Sequence, residues 1–186
     1  TAYEIRLSLV GSEMCIRDSA LDGHEDAVQA VCFSPDGNWL FSSGGVDEQV
    51  RAWNLSGDKP KTGEVTKPGG RVVRLAFSAD GAKLVTAGQK GATKVWAVKD
   101  GQLTDPVALE TDRPVSSVGL APEGGLVAGV VLHSATEDRV FVWDKDGTKK
   151  HEFKYESHLS ALAFAPDGRH LAVVTEIQTF LVRLPK

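Results

Sequence analysis

Four short stretches of this chain are copies of one another, and their spacing constrains the fold more than any other feature. VCFSPDG (31–37), LAFSADG (75–81), VGLAPEG (118–124) and LAFAPDG (162–168) align without gaps. Their glycines, Gly37, Gly81, Gly124 and Gly168, are 44, 43 and 44 residues apart. The large apolar residues Phe33, Phe77, Leu120 and Phe164 keep the same intervals, and Trp53, Trp96 and Trp143 follow the first three copies. A fixed period of this length marks one supersecondary unit stacked on itself, each copy burying its apolar face against the next.

Within a copy the signals are those of short strands and tight turns. In the first, Ala27–Phe33 is apolar with little charge, which predicts a strand buried on both faces. Ser34-Pro35-Asp36-Gly37 is a turn: proline presets φ, aspartate can bond nearby backbone, and glycine supplies φ > 0. Asn38–Ser43 and Gln49–Asn54 are predicted strands, and Gly63–Thr66 a shorter, more polar fourth. No stretch of helical length carries an apolar period of 3.6. The fold class expected is all-β, with about four four-stranded units.

These residues resemble the WD40-repeat β-propeller family. Gly23-His24, Ser34-Pro35-Asp36-Gly37, Ser43-Gly44-Gly45-Val46-Asp47 and Trp53-Asn54 follow its pattern in order, and the likeness runs from Leu21 to Lys186. The resemblance implies units at approximately 21–62, 63–104, 105–147 and 148–186. It also implies a structural tetrad of His24, Ser43, Asp47 and Trp53: the indole N–H meets the serine hydroxyl, the serine the histidine, the histidine the aspartate. A buried indole or imidazole left unbonded is costly, so such a chain holds three strands together. Later copies lose members. The second has Thr86 and Trp96, with Pro68 in place of histidine and Lys90 at the aspartate position. The third has Thr111 for histidine, Glu137 or Asp138 near the turn, and Trp143. The fourth has Tyr155 and Leu184 at the histidine and tryptophan positions.

Ser43, His24 and Asp47 also have the residue types of a hydrolytic triad. No Gly-x-Ser-x-Gly elbow accompanies them, and a tetrad accounts for the tryptophan as well, so no catalytic residue is assigned. The five histidines are scattered with no cysteine partner, so neither a metal nor a cofactor is expected. Cys32, on the innermost strand, reads as inert core. Net charge is −4, which argues against a nucleic-acid or anionic-membrane binder. No apolar run approaches the ~20 residues that cross a bilayer.

Thr1–Ser19 stands apart from the repeats. It resembles the translation of a sequencing-library adapter, with Thr1–Ile5 reading as one end and Leu9–Ser19 as the other. The alternation of Tyr3, Ile5, Leu7 and Leu9 would also suit a strand. On the adapter reading, native sequence begins near Ala20 and its true upstream part is missing. No address is then legible, and the cytoplasm stands as the default compartment. The last copy offers three strands, Leu159–Phe164, His170–Val174 and Thr179–Leu184, which is how a final blade commonly ends in the family. The chain is therefore expected to be the last four blades of a longer propeller, an incomplete ring.

Propellers host unrelated activities, so fold alone does not set function. The favoured expectation is a non-catalytic scaffold with a protein partner. Its contacts would come from loops on the tetrad side: Glu25, Asp26 and Val46, then Arg71 and Gln89, then Asp112 and Arg113. The alternative is the propeller module of a larger bacterial enzyme or kinase-like protein whose catalytic part lies outside this chain.

Overall fold

The computed structural model describes residues 20–89, 91–111, 113–134 and 137–185. Thr1–Ser19, Lys90 and Asp112 lie outside the described residues, and with them the expectations placed there. The described residues form fifteen strands and no helix. The first sheet contains β1 (Val28–Phe33), β2 (Trp39–Gly44), β3 (Val50–Asn54) and β4 (Lys61–Thr66). The second contains β5 (Val72–Phe77), β6 (Lys83–Gly88), β7 (Lys94–Lys99) and β8 (Gln102–Ala108). The third contains β9 (Val115–Leu120), β10 (Leu126–Leu132), β11 (Asp138–Asp144) and β12 (Lys149–Tyr155). The fourth has three strands, β13 (Leu159–Phe164), β14 (His170–Thr175) and β15 (Thr179–Arg183). Each sheet is antiparallel, with its strands in sequence order. This is the all-β architecture of an incomplete propeller of about four blades.

The repeated turn explains why the first two strands of each blade pair as they do. Gly37, Gly81, Gly124 and Gly168 sit at φ +72°, +72°, +63° and +65°, where a side chain is strained. The amide of Gly37 donates to the Ser34 carbonyl at 2.9 Å, and the Trp39 amide to the Ser34 hydroxyl at 2.9 Å. Ser78 does the same for Gly81 and Lys83. The third and fourth copies have Ala121 and Ala165 instead and keep only the backbone bond.

Blades pack face to face. The first strands lie against one another along the series, β1 on β5, β5 on β9 and β9 on β13. Between the first and second blades, Phe41 and Val50 meet Val72, Leu84 and Trp96. Between the second and third, Val85 and Val95 meet Val115, Phe141 and Trp143. Between the third and fourth, Ala128 and Val142 meet Leu162, Leu171 and Val173. Each large side chain so buried contributes about 1.5–3 kcal/mol.

Two expectations are corrected here. Unit boundaries at 62/63 and 104/105 cut through β4 and β8, and 147/148 falls just ahead of β12. The outer strands are the most polar, so their alternation marks them weakly. β1 is not buried on both faces: Val31 and Phe33 are 60% and 61% exposed, because no sheet among the described residues covers that side. Cys32, pointing the other way, is partly buried, and burial pushes its thiol pKa up.

Candidate functional site

The polar network of the first blade is assembled from three strands and the segment leading into them. Ser42 lies in β2 opposite Arg51, and Leu40, two residues earlier, lies opposite Trp53. Side chains alternate across a sheet, so Ser42, Leu40 and Trp53 share one face. Trp53 Nε1 donates to the Ser42 hydroxyl at 2.8 Å. His24 Nε2 meets the same hydroxyl at 2.8 Å, and His24 Nδ1 meets Asp47 Oδ2 at 2.8 Å. A carboxylate only accepts, so Nδ1 carries a proton, and in the neutral imidazole Nε2 then accepts from Ser42. The direction of donation therefore runs from indole to hydroxyl to imidazole to carboxylate.

Ser43 is not a member, which corrects the sequence expectation. It points to the opposite face, fully buried, and donates to the Val72 carbonyl of the second blade at 3.2 Å. The Ser-Gly-Gly-x-Asp wording drew attention to position 43, but a one-residue step in a strand moves a side chain to the other face. The signal that finds Ser42 was present: Thr86, the hydroxyl of the second copy, lies 44 residues beyond it.

Asp47 and His24 are buried, their side chains 1% and 5% exposed. Burial alone would raise the Asp47 carboxyl. The bonds from His24, the Gln49 amide and the Glu25 amide outweigh it and hold the pKa below the usual carboxylate value. Gly44 is required beside it, since a Cβ there would fall on the Asp47 carboxylate. The Ser42–His24–Asp47 order matches that of a hydrolytic triad. Yet Ser42 is buried within the sheet, with one oxygen lone pair taken by the indole N–H. That donor withdraws electron density from the oxygen, the reverse of what a nucleophile needs.

The other blades satisfy the same indole differently. Trp96 Nε1 donates to the Thr86 hydroxyl at 3.1 Å, and the Thr86 hydroxyl in turn donates to the Ala92 carbonyl at 2.6 Å. In the third blade the hydroxyl position is Gly129. A Cβ there would meet the Trp143 ring at 3.0 Å, and Trp143 Nε1 donates instead to the Glu110 carbonyl at 2.8 Å. Thr111 makes a local turn with Arg113. Buried Asp138 accepts from the Leu159 amide at 3.0 Å and lies 3.3 Å from His158, which ties the third blade to the fourth. Sequence reading placed a carboxylate near that turn but did not foresee its bridging role. It also missed Arg139, which bonds Glu137 and Glu152 at 2.7 Å each. Partly exposed pairs of this kind contribute about 0–1 kcal/mol.

The candidate interaction loops are brought together only in part. Glu25, Asp26 and Val46 meet at the tetrad end of the first blade: the Val46 amide donates to Asp26 at 2.8 Å and the Glu25 amide to Asp47 at 3.4 Å. The amide bonds of Val46 and Ala27, together with nearby Arg71, hold the Asp26 carboxyl below its ordinary value. Arg71 bonds Gln29 at 2.8 Å, and the Gln89 amide bonds the Arg71 carbonyl at 3.0 Å. Arg113 belongs elsewhere, on the His133 carbonyl at 2.9 Å. Among the described residues no three His, Cys, Asp or Glu side chains are grouped to hold a metal.

Three sheets of four sequential antiparallel strands, each with a buried tryptophan, and a fourth of three strands, stacked by their faces, define a β-propeller of repeat type. The profile of the family described as WD domain, G-beta repeat matches residues 14–54. The chain is 28% identical over 159 residues to the WD repeat-containing protein 26 homolog of Arabidopsis thaliana, covering 83% of this chain and 26% of that protein. It is 31% identical over 124 residues to the small ribosomal subunit protein RACK1y of rice, covering 66% of this chain and 34% of that protein. It is 25% identical over 160 residues to the target of rapamycin complex subunit wat1 of fission yeast, covering 81% and 48%. The chain belongs to the WD40-repeat β-propeller family. It spans about a quarter to a half of the length of these relatives.

Proposed function

We propose that the chain is a non-catalytic scaffold that holds a protein partner against the loops at the tetrad end of its first two blades. The observation that carries this reading is a division of labour within the first blade. The Ser42–His24–Asp47 constellation, which has catalytic residue types, is buried and closed on itself, whereas the loops it anchors, Glu25-Asp26 and Val46, are exposed. Val46 is 81% exposed, an apolar side chain held outward by the Asp26 bond to its own amide. A rigid strand base with exposed loop tips is a physical basis for recognition. Two of the relatives named above carry in their names a place in an assembly, a ribosomal subunit and a target of rapamycin complex. That favours a protein-binding role. Those relatives are eukaryotic, and they lend the bacterial catalytic-module reading no support.

Cross-linking mass spectrometry in cells tests the surface. Partner cross-links are expected near Asp26, Val46, Arg71 and Gln89. They should disappear in an Asp26→Arg, Val46→Asp double variant whose melting temperature is unchanged. Partners whose cross-links cluster elsewhere and survive the double variant would sink the proposal.

A further inference from the structure

The first strands of the four blades carry a single charged side chain between them. β1, β9 and β13 read Val-Gln-Ala-Val-Cys-Phe, Val-Ser-Ser-Val-Gly-Leu and Leu-Ser-Ala-Leu-Ala-Phe, whereas β5 reads Val-Val-Arg-Leu-Ala-Phe. Each of these strands is the inner edge of its sheet. Each also has the same irregularity near its start, and the residue just past it keeps one register position. Ala30, Arg74, Ser117 and Ala161 lie opposite Ser43, Ala87, Val130 and Val174. Three blades place a small uncharged side chain there, and the second places an exposed guanidinium. Its position is internal. β5 lies between β1 and β9, so further blades would join beyond β1 or β13 and not beside it.

Arg74 joins no other element of the fold. Its Nη1 donates to the carbonyl of its own neighbour, Val73, at 2.8 Å. Among the described residues no carboxylate pairs with it, and Arg139 is the one arginine in an ion pair. Arg71, three residues earlier at the tetrad end, is half-buried. It bonds Gln29 at 2.8 Å, and its buried Nε has no partner among the described residues. Asp26 faces Arg71 but accepts from the Val46 amide instead. A guanidinium offers five N–H donors in a planar fork that matches a carboxylate. Two such groups therefore stand where the inner edge meets the tetrad end, with donors unused.

We propose that Arg74, with Arg71 behind it, receives an acidic segment of the protein partner, a glutamate or aspartate side chain entering along the inner edge from the tetrad end. The proposal rests on the scaffold reading above and names the chemistry of the partner's contact. Charge also sets the path of that segment. Exposed Glu25, Asp26 and Glu48 on the first blade repel it, so it runs over the second.

Fluorescence polarisation of a labelled hexaglutamate peptide with the full chain, at low salt, is the test. The chain's net charge of −4 opposes non-specific binding of this probe. Saturable binding is expected, weakened by added salt and reduced at least about tenfold in Arg74→Gln, the loss of a charge-assisted bond. Arg169→Gln removes an exposed arginine from the turn at the other end of the fourth blade, changes net charge equally, and should leave the affinity unchanged. Both variants alter exposed side chains and should keep the wild-type urea midpoint. No saturable binding, equal losses in the two variants, or a hexathymidylate bound as tightly as hexaglutamate overturns the proposal. If hexaglutamate fails to bind while partner cross-links persist at Asp26 and Val46, this proposal falls and the scaffold reading stands. If binding depends on Arg74 while partner cross-links cluster elsewhere, the acidic-group site stands and the scaffold reading falls.

Discussion

Trp53 in the first blade and Trp143 in the third occupy the same place in their sheets, and both are buried, yet they share no partner. Trp53 donates to a serine hydroxyl held by histidine and aspartate. Trp143 donates to a backbone carbonyl, past a glycine where the serine would stand. Where a blade buries an indole on that face it must supply an acceptor for the N–H; the fourth blade, with Val182 at the same register position, does without the indole. The identity of the acceptor is free, provided the donor is not left alone in a desolvated site. The complete tetrad is thus one solution among several in a single chain. Its extra contribution is to fix the segment before β1 and the loop after β2, which carries Val46.

The largest expected effect is at Trp143. It sits between two sheets beside Phe141, with the rings 5.8 Å apart, and Trp143→Ala should cost about 3–5 kcal/mol in urea denaturation. Trp53→Ala should cost less, since its face carries the exposed Val31 and Phe33 rather than a second blade. An equal cost would mean that the outer face is covered after all. Next is Gly44→Ala, which would drive the Asp47 carboxylate from its place and should cost about 1–3 kcal/mol, as for any buried acceptor displaced from its donors. The measurement is again urea denaturation, read alongside the His24 ring resonances. Unchanged stability would show that Asp47 is dispensable.

Much of this was legible in the sequence, for physical reasons. The 44/43/44 spacing reports a unit that must repeat because no blade can bury its own faces, and the strands expected in the first and last copies fall within about two residues of those observed. β13 coincides with its expected span, Leu159–Phe164. The outer strands were legible only in part, because β4, β8 and β12 face solvent and carry charge where alternation would have marked them. The tetrad was legible in its residue types and wrong by one position at the serine. Motif wording carries no parity, whereas strand pairing does: Trp53 opposite Leu40 places Ser42, not Ser43, on its face. The bridging role of Asp138 had no sequence signal, since it depends on where the next blade begins.

Acid should loosen the molecule in a defined window. Asp167 is held down to about 2 by the amides of Arg169 and His170 and by the His170 side chain, and Asp47 is also held below its ordinary value. A carboxylate depressed in the folded state adds stability above its unfolded pKa and loses it as pH falls through the folded one. Stability should therefore be level near neutrality and decline from about pH 4 towards pH 2, with a shallower slope in Asp167→Asn. An unaltered slope in that variant would remove Asp167 from the explanation. The smallest effect is expected from deleting Thr1–Ser19. If that segment is adapter-derived, the melting temperature of the remainder should not move; a marked fall would show that it belongs to the fold.

The central claim is that the first blade is pinned through Ser42 and that its serine, histidine and aspartate act as a structural chain. Parallel urea denaturation of Ser42→Ala and Ser43→Ala tests it most directly. Ser42→Ala leaves the Trp53 N–H and His24 without their shared partner and should cost about 1–3 kcal/mol, whereas Ser43→Ala removes one bond to the Val72 carbonyl and should cost about 0.5–1.5 kcal/mol. A Ser43→Ala cost equal to or greater than that of Ser42→Ala would contradict the claim.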